Sequence, residues 1–373
     1  MEYRINPKNQ NKISLLGMGC MRLPYIGDDN ANIDYPVAQA IVDAAYAHGI
    51  NYFDTAYPYH SGKSEAFIGK ALAKYPRHSY FLADKMPVWK PEKESDLQVI
   101  FDEQLARCGT EYFDYYLCHA IDAERFDKLQ ALHLFEFLQE KKAQGKIHNI
   151  GFSFHDSPEV LERICCAYPW DFVQIQLNYL DWEVQKSKEQ YEIIKNHNFP
   201  CIIMEPVRGG ALANLCPEAN EILLSAMPQN SVASWAIRFA ASLGNVITVL
   251  SGMSAPIQIE DNLATMSPFV PLCEDERKVL TKALTAYKKA KTVPCTGCRY
   301  CMPCPMGVDI PGIFAKYNKA GLANSDKAFA TDMAEMSPDC APTACISCGK
   351  CAEVCPQHID IPQKMQQFSH LCK

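Results

Sequence analysis

Eight times between Ser14 and Met266 a short β-rich apolar run is followed by a stretch of helical periodicity, and no other feature of the chain constrains its fold as tightly. SLLGMG precedes a predicted helix over 36–48, INYFDTA one over 64–74, SYFLADK one over 93–108, and FDYYLCHA one over 126–144. HNIGFSF precedes 158–166, FVQIQLNY precedes 186–196, CIIMEP leads through a long loop to 232–242, and VITVLSG leads to 256–266. The β runs are apolar on both faces, as a parallel sheet covered by helices requires. Eight such units in about 250 residues predict an α/β architecture, a closed (β/α)8 TIM barrel. The competing open, doubly wound sheet carries a G-x-G-x-x-G turn after a strand, which GMGC near the start does not complete. Ahead of the first unit, EYRI and KISLL flank the turn-rich NPKNQN and predict an N-terminal hairpin.

After Met266 the texture changes. SPFVPLC reads as a Pro-bearing connector and residues 274–291 as a charged amphipathic helix, so we divide the chain into a barrel over 1–267, a linker and helix over 268–294, and a small domain over 295–373. The last segment repeats itself: CPMGVDIP at 304–311 is echoed by CPQHIDIP at 355–362, the sign of a duplicated half-module. Residues 311–336, between the halves, read as mixed helix and loop.

Each half carries a run of cysteines. Cys295, Cys298, Cys301 and Cys304 precede Pro305, and Cys345, Cys348, Cys351 and Cys355 precede Pro356. Three thiolates at two-residue gaps can wrap one cubane cluster, and in two-cluster ferredoxins the fourth cysteine, before proline, serves the other cluster. The spacing therefore predicts two 4Fe-4S clusters with crossed ligation: Cys295, Cys298, Cys301 and Cys355 for one, Cys345, Cys348, Cys351 and Cys304 for the other. Zinc sites use two C-x2-C pairs rather than two runs of four ending in Cys-Pro. The first run has two residues between its third and fourth cysteines where the second has three, and Cys340 is read as a bystander. The segment resembles the dicluster 4Fe-4S ferredoxin module. The other ten of the 18 cysteines, Cys165, Cys166 and Cys201 among them, read as ordinary buried apolar residues.

The net charge of −7, with scattered Lys and Arg, offers no basic face for nucleic acid. The N-terminus lacks a signal-peptide core, and no run reaches the roughly 18 apolar residues of a membrane span. With so many thiols, these features predict a soluble cytoplasmic protein.

Three successive β runs end in an ionisable residue: Asp54 ends INYFD and is followed by Tyr57 and Tyr59, Lys85 ends YFLADK, and His119 ends FDYYLCH. Loops at the C-terminal ends of parallel strands are where such folds collect catalytic groups. Reaction at a carbonyl needs a proton donor beside the forming alkoxide, and a tyrosine serves if a nearby cation lowers its pKa from about 10. Lys85 can supply that cation, Asp54 can keep it charged, and His119 can orient the carbonyl. With these residues the chain from about Ser14 to Met266 resembles the aldo/keto reductases, whose barrel carries an Asp, Tyr, Lys and His tetrad. The family's D-x4-Y pattern selects Tyr59 as general acid and leaves Tyr57 as a pocket wall.

The resemblance also implies an extended nicotinamide cofactor, NADP or NAD, bound across the barrel mouth. It places Ser153 of GFS and Gln174 of VQIQ on the carboxamide, although Phe154 stands where the family has asparagine. It places Arg208, Gly209 and Gly210 of PVRGGAL near the pyrophosphate, glycine allowing close approach. It places Ser254, Gln258 and Asn262 at the adenosine end. Gln258 replaces the usual arginine, which removes a bidentate fork for a 2′-phosphate and leaves NAD open, unless Arg208 compensates.

The chain so read is an oxidoreductase moving hydride between a nicotinamide and a small carbonyl or alcohol, fused to a ferredoxin-like domain. Hydride carries two electrons and a cluster accepts one, and no flavin motif is evident. The clusters then either exchange electrons with a redox partner or an unrecognised flavin, or are structural. In the third reading they do the redox work themselves and the barrel is a docking or structural scaffold.

Overall fold

The computed structural model describes residues 1–27 and 29–371. The chain divides into two compact units, Met1–Val207 with Ala236–Leu272, and Arg208–Trp235 with the chain from Cys273 onward.

In the first unit, β1 (Tyr3–Ile5) and β2 (Lys12–Ser14) pair antiparallel as the predicted hairpin. Eight parallel strands follow: β3 (Leu16–Gly19), β4 (Tyr52–Asp54), β5 (Phe81–Met86), β6 (Phe113–Ile121), β7 (Ile147–Phe154), β8 (Phe172–Gln176), β9 (Cys201–Met204) and β10 (Val246–Ser251). They close into a barrel in chain order, β10 pairing with both β9 and β3. Tyr52, Ala83, Tyr115, Leu117, Phe172, Ile202 and Ile247 fill one cluster with Ile13 of the hairpin. Asn6 and Asn11 of the hairpin turn donate to the Tyr115 hydroxyl at 3.1 and 3.3 Å, and Arg4 donates to the carbonyls of Ala241, Leu243 and Val246. The hairpin thus covers the N-terminal end of the strands and leaves their C-terminal ends for chemistry. Gly151 lets β7 approach β8: a Cβ there would lie 2.6 Å from the Phe172 carbonyl oxygen.

Two predicted segments need correction. The stretch 126–144 is two helices, Ala123–Ala131 and Leu134–Ala143, broken at His133, whose φ of +47° no helix continues through. The long loop after β9 contains the helix Pro217–Ala226, started by a proline in its first turn.

Among the described residues the regular elements of the second unit are all helices, joined by irregular chain that carries most of the cysteines. Pro217–Ala226 packs against Glu274–Tyr287, and Lys289 pairs with Glu218 at 3.4 Å. The stretch read as mixed helix and loop holds two helices, Ile310–Leu322 and Asp326–Ala334. The internal repeat has a local cause. Asp309 accepts from the Gly312 N–H at 3.2 Å and Asp360 from the Gln363 N–H at 3.1 Å, so each D-I-P starts a helix with an acidic cap followed by proline. Val308, Ile313, Phe314, Phe329, Ile361, Met365 and Phe368 form the core against which the cysteine runs pack.

Candidate active site

Asp54 is the last residue of β4, Lys85 lies one residue before the end of β5, and His119 lies near the end of β6. Lys85 is fully buried, and its Nζ donates to Asp54 Oδ1 at 2.5 Å and to the Thr55 carbonyl at 2.6 Å. The same Nζ lies 5.0 Å from the centre of the Tyr59 ring. Burial raises the Asp54 carboxyl above its ordinary pKa and Lys85 partly offsets that rise. Asp54 Oδ2 is buried with no hydrogen-bond partner among the described residues. The ion pair is therefore a matched unit, and neither charge is tolerable there alone.

Tyr59 opens the short 3-10 turn Tyr59–Gly62, in which His60 and Ser61 take left-handed φ values of +52° and +53°. Its ring meets the His119 ring edge-on, with centroids 5.9 Å apart. Burial, then the charges of Asp54 and Glu205, push the phenol well above its usual pKa. The lowered tyrosine pKa expected from the sequence is thus not what the structure has. Lys85 is held by Asp54 and Thr55 beneath the ring, so Tyr59 stays a neutral phenol, which is the form that donates. The Tyr57 hydroxyl is engaged elsewhere: it donates to Glu103 Oε2 at 3.1 Å and receives Lys90 Nζ at 2.5 Å.

His119 sits at a break in the β6–β7 ladder, where the register shifts between Cys118 and Ile121 and Ala120 takes φ +53°. The Ala120 N–H leaves the ladder and donates to Ser153 Oγ at 2.7 Å. A bulge of this kind re-aims the side chain beside it. Burial first, then the Lys85 cation, push the His119 imidazole well below its ordinary pKa, so it is neutral at physiological pH. Two neighbours escaped the sequence reading. The Trp89 ring lies 5.2 Å from that of His119, and Arg22 pairs with Glu205 at 2.6 Å, the ends of β3 and β9 supplying the two charges. A tryptophan in the polar loop after β5 was the available signal for the first; the second had none.

The nicotinamide candidates separate into groups. Ser153 and Gln174 pair in register on β7 and β8, and both are buried. Gln174 Oε1 has no hydrogen-bond partner among the described residues, so it fits an amide N–H arriving from a ligand. Gln258 Oε1 accepts from the Ser254 N–H at 2.7 Å, while Asn262 donates to Ser251 Oγ at 2.9 Å and is buried. Arg208, Gly209 and Gly210 belong to the second unit, where the buried Arg208 reaches Gln357 Oε1 at 3.5 Å. Gly209 and Gly210 have φ of +64° and +94°, so glycine serves the turn itself.

The cysteines of the two runs approach one another. The Cys301 thiol is pushed up by burial and then by Cys298, Cys295, Cys355 and Cys351, the last two from the other run. Cys301 and Cys304 line a cavity of about 190 Å³ together with Cys345, Cys348 and Cys351. Soft thiolate sets of this kind fit 4Fe-4S clusters. Among the other cysteines, Cys166 and Cys273 are exposed, contrary to their reading as core residues.

The aldo/keto reductase family model matches residues 15–284. The chain belongs to the aldo/keto reductase family. A 4Fe-4S dicluster domain model matches residues 294–359 of the same reductase. L-galactose dehydrogenase of Arabidopsis thaliana is 27% identical over 289 residues, 71% of this chain and 88% of the relative. The NADH-specific methylglyoxal reductase of Escherichia coli is 24% identical over 298 residues, 68% of this chain and 90% of the relative. Aldo-keto reductase AKR11C1 from Bacillus halodurans, in its holo form, superposes with a TM-score of 0.63 at 26% identity, over 76% of this chain and 96% of that one. The chain is an NAD(P)-dependent oxidoreductase of aldo/keto reductase type that carries an iron–sulfur domain. Among the described residues no helix is long and apolar enough to cross a membrane.

Proposed function

We propose that this reductase interconverts a small carbonyl compound and its alcohol, with Tyr59 as general acid, and that two 4Fe-4S clusters relay electrons to or from a redox partner. The observation that carries the reading is the buried Asp54–Lys85 pair beneath the Tyr59 ring, beside a neutral His119. When bound, the nicotinamide would exchange hydride with the carbonyl or alcohol, and the two electrons of a hydride not spent on carbonyl would pass one to each of two clusters through a flavin or a redox partner that splits the pair. Tyr59 donates its phenolic proton to the oxygen that gains charge as the carbonyl is reduced, and Lys85 lowers the cost of the phenolate left behind. Asp54 keeps Lys85 in place. His119 donates from its neutral imidazole to the same carbonyl oxygen and fixes its direction, and Trp89 covers that imidazole against water.

Ser153 and Gln174 hold the nicotinamide carboxamide, and Ser254, Gln258 and Asn262 shape the adenosine end, with either NAD or NADP admitted. Cys295, Cys298, Cys301 and Cys355 hold one cluster, and Cys345, Cys348, Cys351 and Cys304 the other. A reducing compartment, the cytoplasm, suits this many thiols. The relatives named for L-galactose and methylglyoxal support an oxygen-rich small molecule as substrate. The test is an anaerobic titration of the purified protein with NADPH, NADH and dithionite, followed by visible spectra. Bleaching of the cluster absorption by a nicotinamide supports the relay. Clusters that bleach with dithionite but never with nicotinamide and substrate overturn it.

A further inference from the structure

Outside the barrel, far along the chain from the tetrad, three potential metal ligands converge. Glu162 and Cys166 stand four residues apart on the helix Pro158–Ala167 and so share one face. His197 caps the C-terminus of the neighbouring helix Ser187–Asn196. His197 Nε2 lies 2.9 Å from Glu162 Oε1 and 4.0 Å from Cys166 Sγ, and that sulfur lies 3.5 Å from the same carboxylate oxygen. In a tetrahedral zinc site with Zn–S of about 2.3 Å and Zn–N or Zn–O of about 2.0–2.2 Å, neighbouring ligand atoms are about 3.3–3.6 Å apart. Opening the His–Glu contact and closing the Cys–His gap by about half an ångström each brings the three into that geometry, by rotation of side chains that already meet solvent.

We propose that Glu162, Cys166 and His197 form a zinc site with water in the fourth position. One sulfur, one nitrogen and one carboxylate oxygen suit a borderline-soft ion. The thiol now donates its proton to Glu162, and on binding that proton leaves to water. The His197 ring stacks on Phe199, with centroids 5.7 Å apart and planes 9° apart, which keeps Nε2 aimed at the other two ligands. In a βα barrel the helices run against the strands. The ends of these two helices, leading into β8 and β9, therefore lie at the face opposite Asp54, Lys85 and His119. A cation there ties two consecutive outer helices together and does not enter the redox chemistry.

The test uses the full-length protein with its clusters, free of any affinity tag and kept anaerobic. Zinc binding is measured by equilibrium dialysis against Zn(II), and the metal's surroundings by zinc-edge X-ray absorption, to which iron is silent. One zinc per chain is expected, with a single sulfur at about 2.3 Å and the remaining ligands nitrogen or oxygen at about 2.0–2.2 Å. Cys166→Ser removes that sulfur signal. Both Cys166→Ser and His197→Gln weaken binding at least about tenfold, the low end of what loss of even an outer-shell partner costs. Cys166 is exposed and His197 half-buried, so both variants keep the metal-free melting point of the wild type. Failure to retain zinc at micromolar concentration, a shell of several sulfurs, or equal affinity in wild type and both variants overturns the proposal. A several-sulfur shell places the metal in the cluster cysteines instead.

Discussion

Lys85→Met tests whether the buried ion pair is as interdependent as its geometry implies. The lysine is fully buried and its ammonium has two oxygen acceptors, while Asp54 is 3% exposed and has no other hydrogen-bond donor among the described residues. Methionine fills much of the same volume but leaves the carboxylate with no counter-charge, a loss that typically costs 3–5 kcal/mol. The barrel can escape the buried charge by protonating Asp54, and holding a carboxyl with a reference pKa of about 3.9 in its neutral form at pH 7 costs about 4 kcal/mol. For a unit of this size such a loss lowers the melting midpoint by about 8–16 °C.

The pH dependence follows from the sign. In the variant the Asp54 carboxyl binds its proton more tightly folded than unfolded, so its contribution is full below pH of about 3.9 and drains away as pH rises. The deficit against wild type is therefore largest at pH 7 and shrinks below about 1 kcal/mol near pH 4.5. Lys85→Met combined with Asp54→Asn removes both charges and recovers most of the loss at pH 7. The assay is thermal unfolding followed by tryptophan fluorescence, since Trp170 is buried in the same unit, from pH 4.5 to 7.5. A deficit independent of pH, or a double variant no better than Lys85→Met alone, would refute the coupled-pair argument.

Tyr59→Phe removes the proton donor and lowers carbonyl reduction by about 10²–10⁴-fold while nicotinamide affinity measured by fluorescence quenching stays within about twofold of wild type. Tyr57→Phe, whose hydroxyl is engaged with Glu103 and Lys90, leaves turnover nearly unchanged, and the reverse ranking would show that D-x4-Y picks the wrong tyrosine here. Iron analysis should give about eight atoms per chain, with Cys298→Ala and Cys348→Ala each losing about four and Cys340→Ala losing none. A total near four, or zinc in place of iron, contradicts two clusters.

The barrel was legible because its signal is repeated: eight apolar runs alternate with eight helices, and an error in one does not disturb the others. Breaks within an element were not legible. His133 splits one helical pattern without a glycine or proline to announce it, since the left-handed residue there is a histidine. Asp54, Lys85 and His119 could be found because each stands at or near the end of a β run, whereas Arg22 and Glu205 are 183 positions apart and meet only when the barrel closes. The membership of Arg208–Trp235 in the second unit is hidden for the same reason. The D-I-P repeat was visible as a repeat, but its work as a helix start became clear only from the caps at Asp309 and Asp360. Buried cysteines and exposed ones such as Cys166 look alike in sequence.

The expectation about the tyrosine erred in an instructive direction, and it leads to a testable asymmetry between the two directions of the reaction. Burial, Asp54 and Glu205 all push the Tyr59 phenol above its usual value near 10, with Arg22 opposing. A phenol that stays protonated is always ready to donate, so kcat/KM for reduction should be flat from pH 6 to 9. His119 adds no limb near 6.5, because burial and the Lys85 cation hold it neutral throughout that range. Alcohol oxidation needs the phenolate to accept a proton, and its population rises about tenfold per pH unit below the pKa. The oxidation rate should accordingly climb through pH 7 to 10 without reaching a plateau. Glu205→Gln removes a charge that disfavours the phenolate and releases Arg22, which favours it, so the oxidation profile of that variant should move toward lower pH. Steady-state rates in both directions, measured with one carbonyl–alcohol pair across this range, decide the matter. An oxidation rate independent of pH, or a reduction rate that falls as pH rises through 7, would mean that some group other than a buried neutral Tyr59 carries the proton.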